Sequence, residues 1–178
     1  MTPIATPKAA SRRSFLSRLA AALGGLASAI VATPAIAAIL FPATHKTVEE
    51  QEGYLDVAAL ENLEVGTPSI VSVTATRRDA WSRVNGVELG TVWLTRSADG
   101  KVSALSSVCP HLGCAVDFLP ETKSYSCPCH ASVFDVSGAV RSGPSPRRLD
   151  SLDAKVEGGR VLVRFQRFAI GSAEKGEG

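Results

Sequence analysis

The sequence predicts an all-β fold, an antiparallel sandwich, preceded by one N-terminal transmembrane helix. Three observations carry this expectation: an uncharged apolar run near the N-terminus, a polar stretch behind it, and then a series of short β-branched or aromatic segments divided by turn dipeptides. With 178 residues the chain has room for one ordinary domain and an appendage. Its net charge of +2 conceals an asymmetry. Residues 1–18 hold Lys8, Arg12, Arg13 and Arg18 without an acid, residues 19–44 hold no charge, and the remainder is mixed and slightly acidic. A nucleic-acid surface would set its basic residues on the folded domain, so that class of partner is not expected.

Residues 1–18 read as a cytoplasmic tail. Within it, Ser11-Arg12-Arg13-Ser14-Phe15-Leu16 resembles a twin-arginine export signal, in which two arginines and a Phe-Leu pair precede an uncharged apolar segment. That route carries proteins already folded. Residues 19–41 are uncharged and mainly apolar. At about 1.5 Å per residue, a helix of that length crosses a hydrocarbon core of about 30 Å. Pro34 bends such a helix without breaking it in lipid. Ala35-Ile36-Ala37 also fits a signal-cleavage site, but the apolar run continues through Ile39-Leu40-Phe41, which favours a retained anchor. Positive residues ahead of the span keep the N-terminus in the cytoplasm. The domain is therefore expected on the periplasmic side of a bacterial inner membrane, tethered by a single pass.

Residues 42–53 are polar, lack apolar periodicity and read as a flexible tether, in which His45 is a solvated residue. From Tyr54 to residue 168 the pattern is that of strands. Ser69-Ile70-Val71-Ser72-Val73, Thr91-Val92-Trp93-Leu94, Val102-Ser103-Ala104-Leu105 and Val161-Leu162-Val163-Arg164-Phe165 are the clearest. Asn85-Gly86, Asp99-Gly100 and Gly158-Gly159 supply turn signals. Trp81 and Trp93 read as packing residues. Residues 169–178 form a C-terminal tail, polar and expected to fray from Gly171 onward.

All four cysteines and two of the three histidines fall between residues 109 and 130. Such clustering points to a metal site, a disulfide, or both. The two segments are Cys109-Pro110-His111-Leu112-Gly113-Cys114 and Cys127-Pro128-Cys129-His130-Ala131-Ser132. A Cys-x-His pair and a Cys-x-x-His pair together offer two thiolates and two imidazoles from two loops. A structural zinc accepts the same four side chains, but zinc motifs usually keep like ligands in pairs, and zinc leaves Cys114 and Cys129 unexplained. Two structural disulfides would in turn leave both histidines unexplained.

The whole constellation resembles the Rieske iron–sulfur subunit of bacterial cytochrome bc (quinol:cytochrome c oxidoreductase) complexes. The resemblance implies a Rieske-type antiparallel sandwich with a small cluster-binding subdomain at about residues 107–148. It further implies one [2Fe–2S] cluster on Cys109, His111, Cys127 and His130, with neutral imidazoles on one iron raising the potential. By position, Cys114 and Cys129 match the family's disulfide, which would form in an oxidising periplasm. Gly143-Pro144-Ser145-Pro146 matches the proline-rich loop that covers the cluster, which places Pro144, with Leu112 and Ser132, beside the cofactor. Two positions depart from the family pattern. Ala131-Ser132 stands where Gly-Ser is common, and Phe134 where high-potential members carry a tyrosine that bonds a cysteine sulfur.

The function so implied is electron transfer in a quinol-oxidising respiratory complex. A quinol docks at His130, the solvent-reachable ligand, one electron goes to the cluster and one proton to the imidazole. The domain then swings on residues 42–53 toward a c-type cytochrome. A cytochrome b subunit supplies most of the quinol pocket, so the chain is a subunit of the catalyst and not the whole of it. Two other classes use Rieske domains. The small subunit of an arsenite-oxidase-like periplasmic molybdoenzyme also carries an export signal and a disulfide, but the proline loop and long anchor favour the bc type. Soluble Rieske ferredoxins and oxygenase components typically lack the disulfide and the signal.

Overall fold

The computed structural model describes residues 11–44, 48–50, 53–79, 82–176 and 178, so His45 and Trp81 lie outside the described residues. The chain divides into two units, Met1–Thr47 and Val48–Gly178.

The first unit is one helix, α1 (Arg12–Thr44), rich in alanine and leucine. Ser11 begins it, its carbonyl accepting from the Phe15 N–H at 3.1 Å and its hydroxyl from the Ser14 N–H at 3.4 Å. Its apolar side chains, among them Leu16, Leu23, Ile30 and Ile39, are exposed on every side. A helix apolar all round belongs in lipid or in a large core. Residues Arg12–Phe41 are long and apolar enough to cross a membrane. The hydroxyls of Ser28 and Thr33 bond back to the carbonyls of Gly24 at 2.8 Å and Ala29 at 2.7 Å, which leaves neither unpaired in an apolar medium. The helix is longer than the apolar span of residues 19–41 because charge and proline mark the edge of the lipid-facing stretch, not the end of helical hydrogen bonding.

In the second unit a seven-stranded antiparallel sheet runs β1 (Val48–Glu50), β3 (Ser69–Asp79), β4 (Arg83–Arg96), β5 (Val102–Ser106), β10 (Ser151–Glu157), β11 (Arg160–Arg164) and β2 (Tyr54–Ala59), in that spatial order. It curls until β2 comes against β3. The concave side holds one core, including Leu55, Val73, Val92, Leu94, Ala104, Leu152, Val161 and Val163. A second, four-stranded antiparallel sheet is made of β6 (Asp117–Leu119), β7 (Ser124–Ser126), β8 (Val133–Asp135) and β9 (Val140–Ser142). It packs over the other face of β4 and β5, where Trp93 and Leu105 join Val116, Tyr125, Phe134 and Leu149 in a second core. The alternation of side chains along a strand explains the unbroken apolar run at residues 92–94: Val92 and Leu94 face one core and Trp93 the other. The Trp93 indole donates to the Val116 carbonyl at 3.2 Å, which satisfies its polar edge inside the layer.

Several local expectations change. Asn85-Gly86 does not turn the chain; it lies within β4 at a register shift opposite residues 75–77 of β3, and the hairpin closes at Asp79–Ser82. A glycine at positive φ serves a bulge as readily as a turn. The turns at Asp99-Gly100 and Gly158-Gly159 form where expected. The stretch 42–53 is not tether throughout: Pro42–Thr44 continues the helix, and Val48–Glu50 pairs with β3, Val48 opposite Asp79. Residues 169–176 are not frayed. Ala169 N–H bonds the Gly176 carbonyl at 2.9 Å and Gly171 N–H bonds the Pro110 carbonyl at 2.8 Å.

Candidate metal centre

The two cysteine-bearing segments fold into the same six-residue knuckle. In the first, the Cys109 N–H bonds the Cys114 carbonyl at 2.8 Å and the Gly113 N–H bonds the Cys109 carbonyl at 3.0 Å. In the second, the Cys127 N–H bonds the Ser132 carbonyl at 2.8 Å and the Ala131 N–H bonds the Cys127 carbonyl at 3.1 Å. Both knuckles place a proline second, and both need a left-handed fifth residue, Gly113 at φ 81° and Ala131 at φ 54°. The frame turns the first cysteine of each knuckle inward. Cys109 is fully buried and Cys127 nearly so, both in the second core, and neither is in a disulfide.

Cys114 and Cys129 are bonded to one another and so tie knuckle to knuckle. The sulfurs of Cys114, Cys127 and Cys129 lie within 4.8 Å of one another. That triad is no ligand set, because two of its sulfurs are spent on their mutual bond; it shows how near the disulfide lies to Cys127. The imidazoles of His111 and His130 meet edge to face, with ring centroids 4.8 Å apart. His111 is half-buried and His130 exposed.

The donor set fits an iron–sulfur group. Burial pushes the Cys109 thiol above its ordinary range, and the Cys127 sulfur beside it adds to the rise against an opposing hydrogen bond from the His111 N–H. A buried sulfur pair of this kind becomes a good thiolate pair only beside a strong positive charge, which a metal supplies. The His111 Nδ1 is buried and has no hydrogen-bond partner. A buried nitrogen without a hydrogen-bond partner is costly unless it ligates.

Around these four lie the remaining expected residues. The fully buried Ser132 hydroxyl accepts the Ser145 N–H at 3.1 Å and is also directed at the Cys109 sulfur. The proline-rich loop reaches it through Gly143. A Cβ there would stand 2.4 Å from the Ser132 Cα and 2.6 Å from the Ala131 carbonyl oxygen, so only glycine, at φ 91°, lets the loop close on the second knuckle. Pro144 and Leu112 are exposed at the rim. Phe134 is fully buried in the core that holds Cys109 and Cys127, and pairs across strands with Tyr125. The shared knuckle frame went unseen in the sequence, although the repeated Cys-Pro start was a signal for it. The buried Arg147–Asp150 ion pair at 2.7 Å, next to the proline loop, was missed altogether.

Residues 54–153 match the Rieske [2Fe-2S] domain. Among curated relatives, the chain is 29% identical over 153 residues to the cytochrome b6-f complex iron-sulfur subunit of Chlorobaculum thiosulfatiphilum, covering 85% of this chain and 74% of that one. It is 30% identical over 155 residues to the cytochrome b6-f complex iron-sulfur subunit of Synechococcus sp. (strain JA-3-3Ab), covering 85% of each chain. It is 28% identical over 173 residues to the menaquinol:cytochrome c reductase iron-sulfur subunit of Bacillus subtilis (strain 168), covering 94% of this chain and 96% of that one.

Proposed function

The chain belongs to the Rieske [2Fe–2S] family, and from that premise we propose that it is the electron-transfer subunit of a quinol-oxidising complex, taking one electron with a proton from quinol and passing the electron to a c-type cytochrome. The supporting observation is the pairing of two buried free cysteines with two touching imidazoles, one of them exposed, across two disulfide-linked knuckles.

Cys109 and Cys127 by their sulfurs, and His111 and His130 by imidazole nitrogen, would hold the [2Fe–2S] cluster. Bound there, the cluster supplies a one-electron acceptor whose potential is raised by its two neutral ligands. His130, exposed at the tip, accepts the quinol hydroxyl as a hydrogen-bond donor and takes up its proton. The exposed Leu112 and Pro144 give that imidazole an apolar rim, which suits a quinol ring. The core beneath keeps water from the sulfurs. A cytochrome b subunit completes the quinol pocket, and the chain is a subunit of the oxidoreductase, not the catalyst alone. α1 anchors it in the inner membrane with the domain on the periplasmic side, where the Cys114–Cys129 bond persists. Named relatives are subunits of cytochrome b6-f and menaquinol:cytochrome c reductase complexes, which supports this assembly.

The purified reduced protein should give the rhombic EPR signal of a Rieske centre with two irons per chain, and His130→Ala should abolish it. A stoichiometric zinc with no EPR signal would overturn the reading.

A further inference from the structure

The residues after β11 lie across the first knuckle. Gly171 donates its N–H to the Pro110 carbonyl at 2.8 Å, midway between the two ligands that this knuckle supplies. A Cβ on Gly113 would lie 3.6 Å from the Ile170 side chain, and one on Gly171 3.8 Å from the His111 carbonyl oxygen. Lys175 reaches back to the Ser151 carbonyl at 2.8 Å.

The hold on this segment comes from Arg147, which follows the proline loop. Its side chain is only 8% exposed and its Nη2 lies 2.7 Å from a carboxylate oxygen of Asp150. Its Nε donates to the other oxygen at 3.0 Å. The same guanidinium donates from Nη1 to the Ser172 carbonyl at 2.5 Å and from Nη2 to the Ala169 carbonyl at 2.6 Å. A planar fork with a carboxylate on one edge and two carbonyls on the other is geometry that arginine alone supplies. Phe168 itself packs against the first core. A groove of about 250 Å³ runs between Phe168 and Ile170 of the segment and Thr91, Val108 and Pro110 of the domain.

We propose that residues 169–176 are a strap that fixes the first knuckle, and that Arg147 is its positioning residue. Through the Ala169 and Ser172 carbonyls, Arg147 sets the Gly171 N–H on Pro110. That contact holds Cys109 and His111 in register with the second knuckle. The consequence is a bound cluster with a defined potential and slow iron loss. The inference rests on the ligand assignment made above.

Two variants of the full membrane protein test it. Truncation after Phe168 removes the strap and leaves the Arg147–Asp150 pair; Arg147→Lys keeps the charge beside Asp150 and removes the fork. Both should lose iron to a chelator about tenfold faster than the parent, the lower end of the roughly 10–100-fold by which loss of an outer partner weakens metal binding. Both should shift the reduction potential in the same direction. If the truncated chain does not accumulate, the lysine variant alone carries the test. Parental potential and parental iron retention would overturn the proposal, and so would a lowered melting temperature with the potential unmoved. A parent protein without the Rieske EPR signal would instead overturn the ligand assignment.

Discussion

Ala131 occupies a left-handed conformation, φ 54°, at the knuckle position where the first loop has Gly113. A side chain in that region costs roughly 1 kcal/mol, and part of the relief on going to glycine is offset by a freer unfolded chain. Ala131→Gly is therefore expected to raise the melting temperature by about 2–3 °C. A thermal scan of the iron-loaded protein checks this, and a lower value would mean that the Ala131 methyl contributes packing. Phe134 presents the other residue-scale departure. Its ring is fully buried in the core that also holds Cys109 and Cys127, so a hydroxyl added there enters a dry site. A donor to the sulfur favours the reduced state, which carries the added negative charge. Hydrogen bonds to charged groups contribute about 1.5–3 kcal/mol, and a differential of about 1 kcal/mol between redox states converts to roughly 40 mV for one electron. Phe134→Tyr should raise the potential by about that much in an EPR-monitored redox titration. An unchanged or lower potential would show that the hydroxyl does not reach the sulfur.

The two knuckles are the elements on which the centre depends. Each is a short loop with few buried side chains of its own, held by a pair of internal hydrogen bonds and by the neighbouring four-stranded sheet. Their mutual position relies on the Cys114–Cys129 bond, which spans 15 residues of sequence. Closing a loop of that size stabilises a fold by about 3 kcal/mol in the chain-entropy picture. The double variant Cys114→Ala/Cys129→Ala should still load iron, lose it faster and titrate at a lower potential. Iron release under chelator, read beside the redox titration, measures both effects. Retention equal to the parent would show that the sheet and the proline loop suffice to hold the loops. The strap and Gly143 act at the same scale, each bringing a remote loop against a knuckle that cannot bury itself.

For the molecule as a whole, the division into Met1–Thr47 and Val48–Gly178 separates the apolar helix from the Rieske domain. Arg12 and Arg13 are exposed in the first turn of α1. If they form the export signal, as their spacing to Phe15-Leu16 suggests, changing both to lysine keeps the charge and removes the recognised pair. The double variant should remain in the cytoplasm with its cluster inserted, as fractionation with EPR of the soluble fraction would show. Normal membrane assembly would point to a different route. Val48–Glu50 pair with β3, so a swing of the domain on the full stretch 42–53 would require that pairing to open.

The apolar span, the all-β class, and the kind and spacing of the candidate ligands were all legible in the sequence. Each depends on local composition: a long uncharged run, period-two strands, sulfur and imidazole at short intervals. The family resemblance added the pairing of Cys114 with Cys129, which composition alone left open. Other features were decided only by tertiary structure. Asn85-Gly86 became a bulge instead of a turn because β3 and β4 pair beyond it. The tail became a strap because Arg147 reaches carbonyls more than twenty residues away, at Ala169 and Ser172. The four strands β6 to β9, three residues each, carry too little pattern to read and exist because Trp93 and Leu105 offer them a face to cover. Local pattern states what a segment can become, whereas contacts between distant segments depend on which buried groups must find partners once the chain has folded.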